Sequence, residues 1–205
     1  MIAEYLRDSN IADWNRYVNH KFVEDMRNGT LPIDDFKFYL VQDSLYVSEM
    51  LQSVLRAASK MPGEMATNIV NAVFSGRDRG MEAHAYLEKE LNVENAQEMT
   101  ITTYGYTRHL YYASNIGWPE FLASWIPCMW GYSYIGKYVV KSANKYYSHW
   151  ADFYASQEYE EKINTIIESL ENFRGNPESL NKYFRISLKY EQRFWQSAID
   201  HEEYI

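Results

Sequence analysis

The sequence predicts an all-α protein folded as one compact helical bundle. Three observations carry this expectation. Apolar residues recur at steps of three and four along nearly the whole chain, the pattern of amphipathic helices. Gly, Pro and Asn interrupt that pattern at intervals of about one helix length. The 205 residues, 46% hydrophobic and 23% charged, are enough for one sizeable core and give little reason to expect two, so residues 1–205 are read as a single domain.

Taken in order, a short opening helix (about 2 to 7) leads to Asp8-Ser9-Asn10, a cluster of N-cap residues. A second helix then carries Trp14, Tyr17, Val18 and Phe22 as far as Arg27, where Asn28-Gly29 stops it. Pro32 suits the first turn of the third helix, which runs from Ile33 to about Lys60. Its inward stripe reads Phe36, Leu40, Asp43, Val47, Met50 and Val54. Asp43 therefore interrupts an apolar face, and a carboxylate there must be paired or hydrogen-bonded, as a buried structural acceptor or as a ligand group. Tyr46 lies on the same side.

A fourth helix, about 64 to 92, carries Ile69, Val73, Met81 and Leu87, with Gly76 and Gly80 suggesting close packing or a bend. The segment from about 97 to 116 holds Tyr104-Gly105-Tyr106-Thr107, and a sixth helix runs from Pro119 to about Lys145. Pro127 inside it should kink the helix or mark a restart. A restart would place Cys128, the only cysteine, at a positive helix end that lowers its pKa. Taken without its context, a lone cysteine is more often a small packed hydrophobe than a nucleophile. A seventh helix, about 147 to 173, carries Trp150, Phe153 and Tyr154. Asn176-Pro177 opens the last, whose stripe of Leu180, Phe184, Leu188, Glu191, Trp195 and Ala198 again has an acid at its centre. Asp43, Cys128 and Glu191 thus come from three distant helices, each a lone reactive group on an inward face, which is how a site is assembled.

Composition narrows the function. A net charge of -8 leaves no basic patch for nucleic acid. No apolar run approaches the roughly 18 residues of a membrane span. The opening Met1–Tyr5 lacks an export signal, and a single cysteine cannot form an internal disulfide, so a cytoplasmic location is expected. The five histidines lack zinc-site spacing and no Glu-x-x-His pair occurs, so no metal is expected. Nineteen tyrosines and six tryptophans suit a pocket for a flat, polar heterocycle, although helix packing and subunit contacts must occupy most of them.

The chain resembles the TenA family, also called thiaminase II or aminopyrimidine aminohydrolase. The residues that carry the likeness are Asn28-Gly29-Thr30-Leu31-Pro32 with Phe36, Gln42-Asp43-Ser44-Leu45-Tyr46, Tyr104-Gly105-Tyr106-Thr107 and the stretch from Leu122 to Tyr132 around Pro127-Cys128. Trp150 with Tyr154, and Tyr190-Glu191 with Phe194-Trp195, complete the set, and the cysteine resembles the Cys-containing branch. The resemblance implies a haem oxygenase-like helical bundle assembled as a homotetramer. It also implies hydrolysis at the 5-methylene of a 4-amino-2-methylpyrimidine, releasing an amine or, from thiamine, the thiazole, with no metal or organic cofactor. Carried over by position, Cys128 is the nucleophile, Glu191 the acid/base group and Asp43 the acceptor for the pyrimidine amino group and ring nitrogen. Tyr46, Tyr106, Tyr132 and Tyr154 match tyrosines that stack on the ring or bond to the catalytic groups. Covalent catalysis suits a polarisable nucleophile, which splits one hard step into two easier ones. The alternatives are a haem-handling protein with His20 as axial ligand, and a non-catalytic pyrimidine binder or regulator.

Overall fold

The computed structural model describes residues 1–74, 79–93 and 98–205, and the described residues are helical with no strand beyond an isolated bridge between Thr100 and Tyr204. The helices are α1 (Ile2–Ser9), α2 (Ile11–Val18), α3 (Lys21–Asn28), α4 (Ile33–Ala58), α5 (Gly63–Phe74) and α6 (Arg79–Glu90). They continue with α7 (Ile101–Ile116), α8 (Trp118–Val139), α9 (Lys145–Tyr154), α10 (Gln157–Leu170) and α11 (Glu178–Asp200). None of the described helices is long and apolar enough to cross a membrane.

Several boundaries follow from local capping. Gly29, at φ 72°, takes the left-handed conformation that ends α3. Thr100 Oγ1 accepts the amide of Thr103 and starts α7. The Lys60 ammonium closes the far end of α7 by donating to the carbonyls of Ser114 and Asn115, at 2.7 and 2.6 Å.

Elsewhere the structure divides what the sequence pattern joins. The expected helix from Trp14 to Arg27 is two: Asn19 ends α2, and His20 caps α3, its ring Nδ1 accepting the amide of Phe22. The expected helix from 147 to 173 is likewise two, because Ser156 Oγ accepts the Tyr159 amide and starts α10 after Ala155. The sixth predicted helix stops at Val139, short of Lys145, where Asn144 Oδ1 caps α9 by accepting the amide of Tyr146 at 2.9 Å. Within the fourth, expected over about 64 to 92, the described residues form α5 and α6. Gly76, Arg77 and Asp78 lie outside the described residues, and Arg79 pairs with Glu158 at 3.4 Å.

Pro127 neither breaks nor restarts its helix. α8 is continuous from Trp118 to Val139 with the proline inside it, so Cys128 is held mid-helix and has no helix N-terminus to depress its pKa. The lost backbone bond is tolerated because α8 is the central helix, buried on nearly every side and packed against α11, α9, α7 and α10. Two glycines permit that packing. A Cβ at Gly136 would stand 2.6 Å from Tyr154 Cβ and 2.9 Å from the Ala155 nitrogen, so only glycine lets α9 approach this closely. A Cβ at Gly131 would stand 2.6 Å from the Tyr17 hydroxyl.

The inward stripe of α4 has Phe36, Leu40, Asp43, Met50 and Val54 buried, with Val47 half-buried. Every stripe residue predicted on α11 is buried. Between them Trp195 stacks on Phe22 at 4.9 Å, on Tyr17 at 6.4 Å and on Tyr132 at 5.5 Å. This aromatic wedge joins α2, α3, α8 and α11, each ring pair adding about 0.5–1.5 kcal/mol to simple burial.

Candidate active site

A cavity opens between α4, α5, α6, α8, α9 and α10. Asp43, Tyr46, Cys128, Tyr132 and Tyr154 line it, together with His84 and a largely apolar remainder. Glu191 and Tyr106 are set behind this wall, 1% exposed each. The sequence-predicted residues are thereby brought to one region in two layers, with the thiol at the junction.

Asp43, 4% exposed, has three polar neighbours. The hydroxyl of Tyr39, one turn earlier on α4, hydrogen-bonds its carboxyl and itself accepts Trp150 Nε1–H at 3.2 Å. His84 Nε2 lies 3.2 Å from Asp43 Oδ2. Glu88, one turn beyond His84 on α6, accepts the hydroxyl of Ser44 at 2.7 Å and adds like charge. Burial dominates and pushes the Asp43 carboxyl up to about 7, against the lowering effect of Tyr39.

Glu191 accepts a 2.6 Å hydrogen bond from the phenol of Tyr106. Burial pushes its carboxyl up to about 8; Tyr106 opposes this, the charge of Asp43 adds to it, and Tyr17 and the Cys128 thiol face it from the lowering side. Burial also raises the Cys128 thiol well above its usual range, Glu191 adds to the rise, and the Tyr46 hydroxyl acts against it. The Cys128–Glu191 pair is therefore poised uncharged near neutrality. Its nucleophile is a thiol rather than a thiolate, and the group placed to exchange a proton with it is a carboxyl that holds its own proton.

Sequence reasoning missed His84, Tyr39 and Tyr17. Tyr39 was legible in principle, four residues before Asp43 on one helix face. Tyr17 and His84 come from other helices, and nothing in their spacing marks them. His20 caps α3 as described and is not among the cavity residues, which gives the haem reading no support.

Fold and site together define an all-α protein with a thiol and two carboxyls buried around one aromatic cavity. The chain belongs to the TENA/THI-4/PQQC family, whose model matches residues 9–201. It is 31% identical to the aminopyrimidine aminohydrolase of Bacillus subtilis over 96% of this chain and 89% of that one. It is 25% identical to the aminopyrimidine aminohydrolase of Helicobacter pylori over 96% and 98%. Among solved structures, a protein of Sulfolobus solfataricus P2 described as a TenA-like thiaminase superposes with a TM-score of 0.94 at 40% identity, covering 98% of this chain and 97% of that one.

Proposed function

We propose that this protein is an aminopyrimidine aminohydrolase of thiamine salvage. It replaces the leaving group on the 5-methylene of a 4-amino-2-methylpyrimidine by hydroxyl, with aminomethyl-pyrimidine and thiamine as substrates. The observation that carries this reading is the Cys128 thiol in the wall of an aromatic cavity that also holds Asp43, with the Glu191 carboxyl behind it. The names of the Bacillus and Helicobacter relatives support the same substrate class.

In the proposed mechanism Tyr46, Tyr132 and Tyr154 hold the flat ring, and Asp43 engages its amino group and adjacent nitrogen. Cys128 Sγ adds to the ring carbon beside C5. The C5–C6 π pair moves to form an exocyclic methylene, and the bond to the leaving nitrogen breaks. The thiol proton passes to Glu191 as Glu191 gives its own proton to the departing amine, so ammonia leaves and the carboxyl is unchanged. Water then adds to the methylene carbon, the electrons return to the ring and the C–S bond breaks. Glu191 takes the water proton and returns one to sulfur. Tyr106 holds the carboxyl in place throughout. No metal or organic cofactor takes part in these steps.

Placement in the Cys-containing branch, a single domain over residues 1–205, a cytoplasmic location and a homotetramer complete the proposal. Self-association is supported by Ile101, Tyr104, Tyr111 and Tyr112, which leave an exposed apolar and aromatic surface on α7. The test is turnover of aminomethyl-pyrimidine and of thiamine by the purified protein, side by side. Hydrolysis of neither, with binding retained, would make the protein a pyrimidine binder instead.

A further inference from the structure

The edge that a 4-aminopyrimidine presents has a donor, the amino N–H, beside an acceptor, the ring nitrogen. An ionised carboxylate offers two acceptors and matches only half of it. One proton must therefore lie between Asp43 and the ring nitrogen for both contacts to form. The cavity wall contains a neighbour able to hold that proton. His84 and Asp43 both line the cavity, are 7% and 4% exposed, and approach to 3.2 Å between Nε2 and Oδ2.

We propose that His84 is a positioning residue that acts as the proton store for Asp43. The pair carries one proton, on the imidazole in the free protein, and the Nε2–H proton passes to the Asp43 carboxyl when a 4-aminopyrimidine binds. An N–H bond breaks and an O–H bond forms, the imidazole becomes neutral, and the carboxyl gains the donor it lacked. The idea rests on the proposed function and adds what that reading leaves open, namely how a buried acid matches both atoms of the ring edge.

The surroundings agree. On α4 Tyr39 donates to the carboxyl, and on α6 Glu88 adds negative charge that keeps a proton on the pair. From α8, α9 and α10 the facing groups Cys128, Tyr132, Tyr154 and Tyr159 are neutral, their pKa values raised by burial, and Lys162 on α10 adds a cation to the cavity wall, 3.7 Å from Glu158. Glu191 on α11 is a further acid, and its charge acts on Asp43 only when it is ionised. A proton with two places to reside, imidazole and carboxyl, is retained to a higher pH than one with the carboxyl alone.

The test titrates 4-amino-5-hydroxymethyl-2-methylpyrimidine into wild type and His84→Gln, whose amide still donates to Asp43 but cannot store a proton. Calorimetry in buffers of different ionisation enthalpy counts protons. At pH 7.5 to 8 the wild type is expected to take up close to none, with Kd constant within about twofold from pH 7 to 8. His84→Gln is expected to approach one proton, with Kd rising towards tenfold per pH unit above about 7, where the Asp43 carboxyl titrates. Equal proton uptake by the two proteins, or parallel Kd profiles, would overturn the proposal. A second readout needs no variant: the His84 ring resonances should change from imidazolium to neutral imidazole on saturation at pH 7.5. A ring already neutral in the free protein, or one still cationic in the complex, also overturns it. If the wild type fails to bind the pyrimidine at any pH, the functional reading has failed and not merely the role of His84.

Discussion

The phenol of Tyr106 donates to Glu191 Oε1 at 2.6 Å, a contact that ties α7 to α11 and is fully removed from water. Because this bond favours the ionised carboxyl, removing it should raise the Glu191 pKa further above its present value of about 8. In Tyr106→Phe the alkaline limb of the kcat profile should move to higher pH. At neutral pH turnover should fall roughly tenfold, the cost of one hydrogen bond at a charge-bearing group. An unmoved limb would separate Glu191 from the pH profile.

Cys128→Ser should lower turnover of aminomethyl-pyrimidine by roughly a hundredfold or more, since a hydroxyl is a far weaker nucleophile in the same neutral setting. Affinity for hydroxymethyl-pyrimidine should stay within a few-fold, because the tyrosines and Asp43 remain. Single-turnover kinetics and equilibrium binding check the two halves, and turnover like that of wild type would remove the covalent step.

Gly131→Ala probes a packing constraint linked to the site. The added methyl would stand 2.6 Å from the Tyr17 hydroxyl, so Tyr17 or α8 must shift. Overpacking of this kind costs about 1–3 kcal/mol, and Tyr17 is one of the groups facing Glu191. Lower stability by denaturant titration together with a changed alkaline limb is expected. Lower stability with an unchanged profile would make Tyr17 a packing residue only.

Stability should depend on pH through the buried Glu191. Its folded-state pKa of about 8 lies above its unfolded one, so between the two values the folded protein holds the extra proton. Stability from this source is full below about pH 4, falls as pH rises, and is lost by about pH 8, an effect on the order of several kcal/mol. His109 acts the opposite way: burial lowers it to about 4, so its contribution is lost as pH falls from about 6.5 through that value. Thermal denaturation of Glu191→Gln should therefore show a smaller fall in Tm from pH 6 to 9 than wild type; equal falls would argue against a protonated Glu191.

The helical character and the positions of Asp43 and Glu191 could be read from periodicity because both depend on which side of one helix a residue occupies. An acid within an apolar stripe is visible without knowing its partner. The divisions at His20 and Ser156 were hidden for the complementary reason. The apolar phase continues across each break, and a single side chain accepting one amide decides that a new helix begins. Pro127 looked like a break because its local cost is certain, whereas the packing that holds α8 continuous around it is tertiary. His84 depends on α6 crossing α4 at one particular height, which no spacing within either segment encodes.

The aromatic wedge also gives the cavity an optical character. Trp125 stands in the cavity wall. Trp150 lies 5.8 Å from the ring of Tyr132 and 4.7 Å from that of Tyr154, and Trp195 stacks on Tyr132 at 5.5 Å. Half of the six tryptophans are thus at the cavity or one ring away from it. A heterocycle entering among those rings changes the polarity around the indoles and offers an acceptor for their excited-state energy, so intrinsic emission reports occupancy without a label.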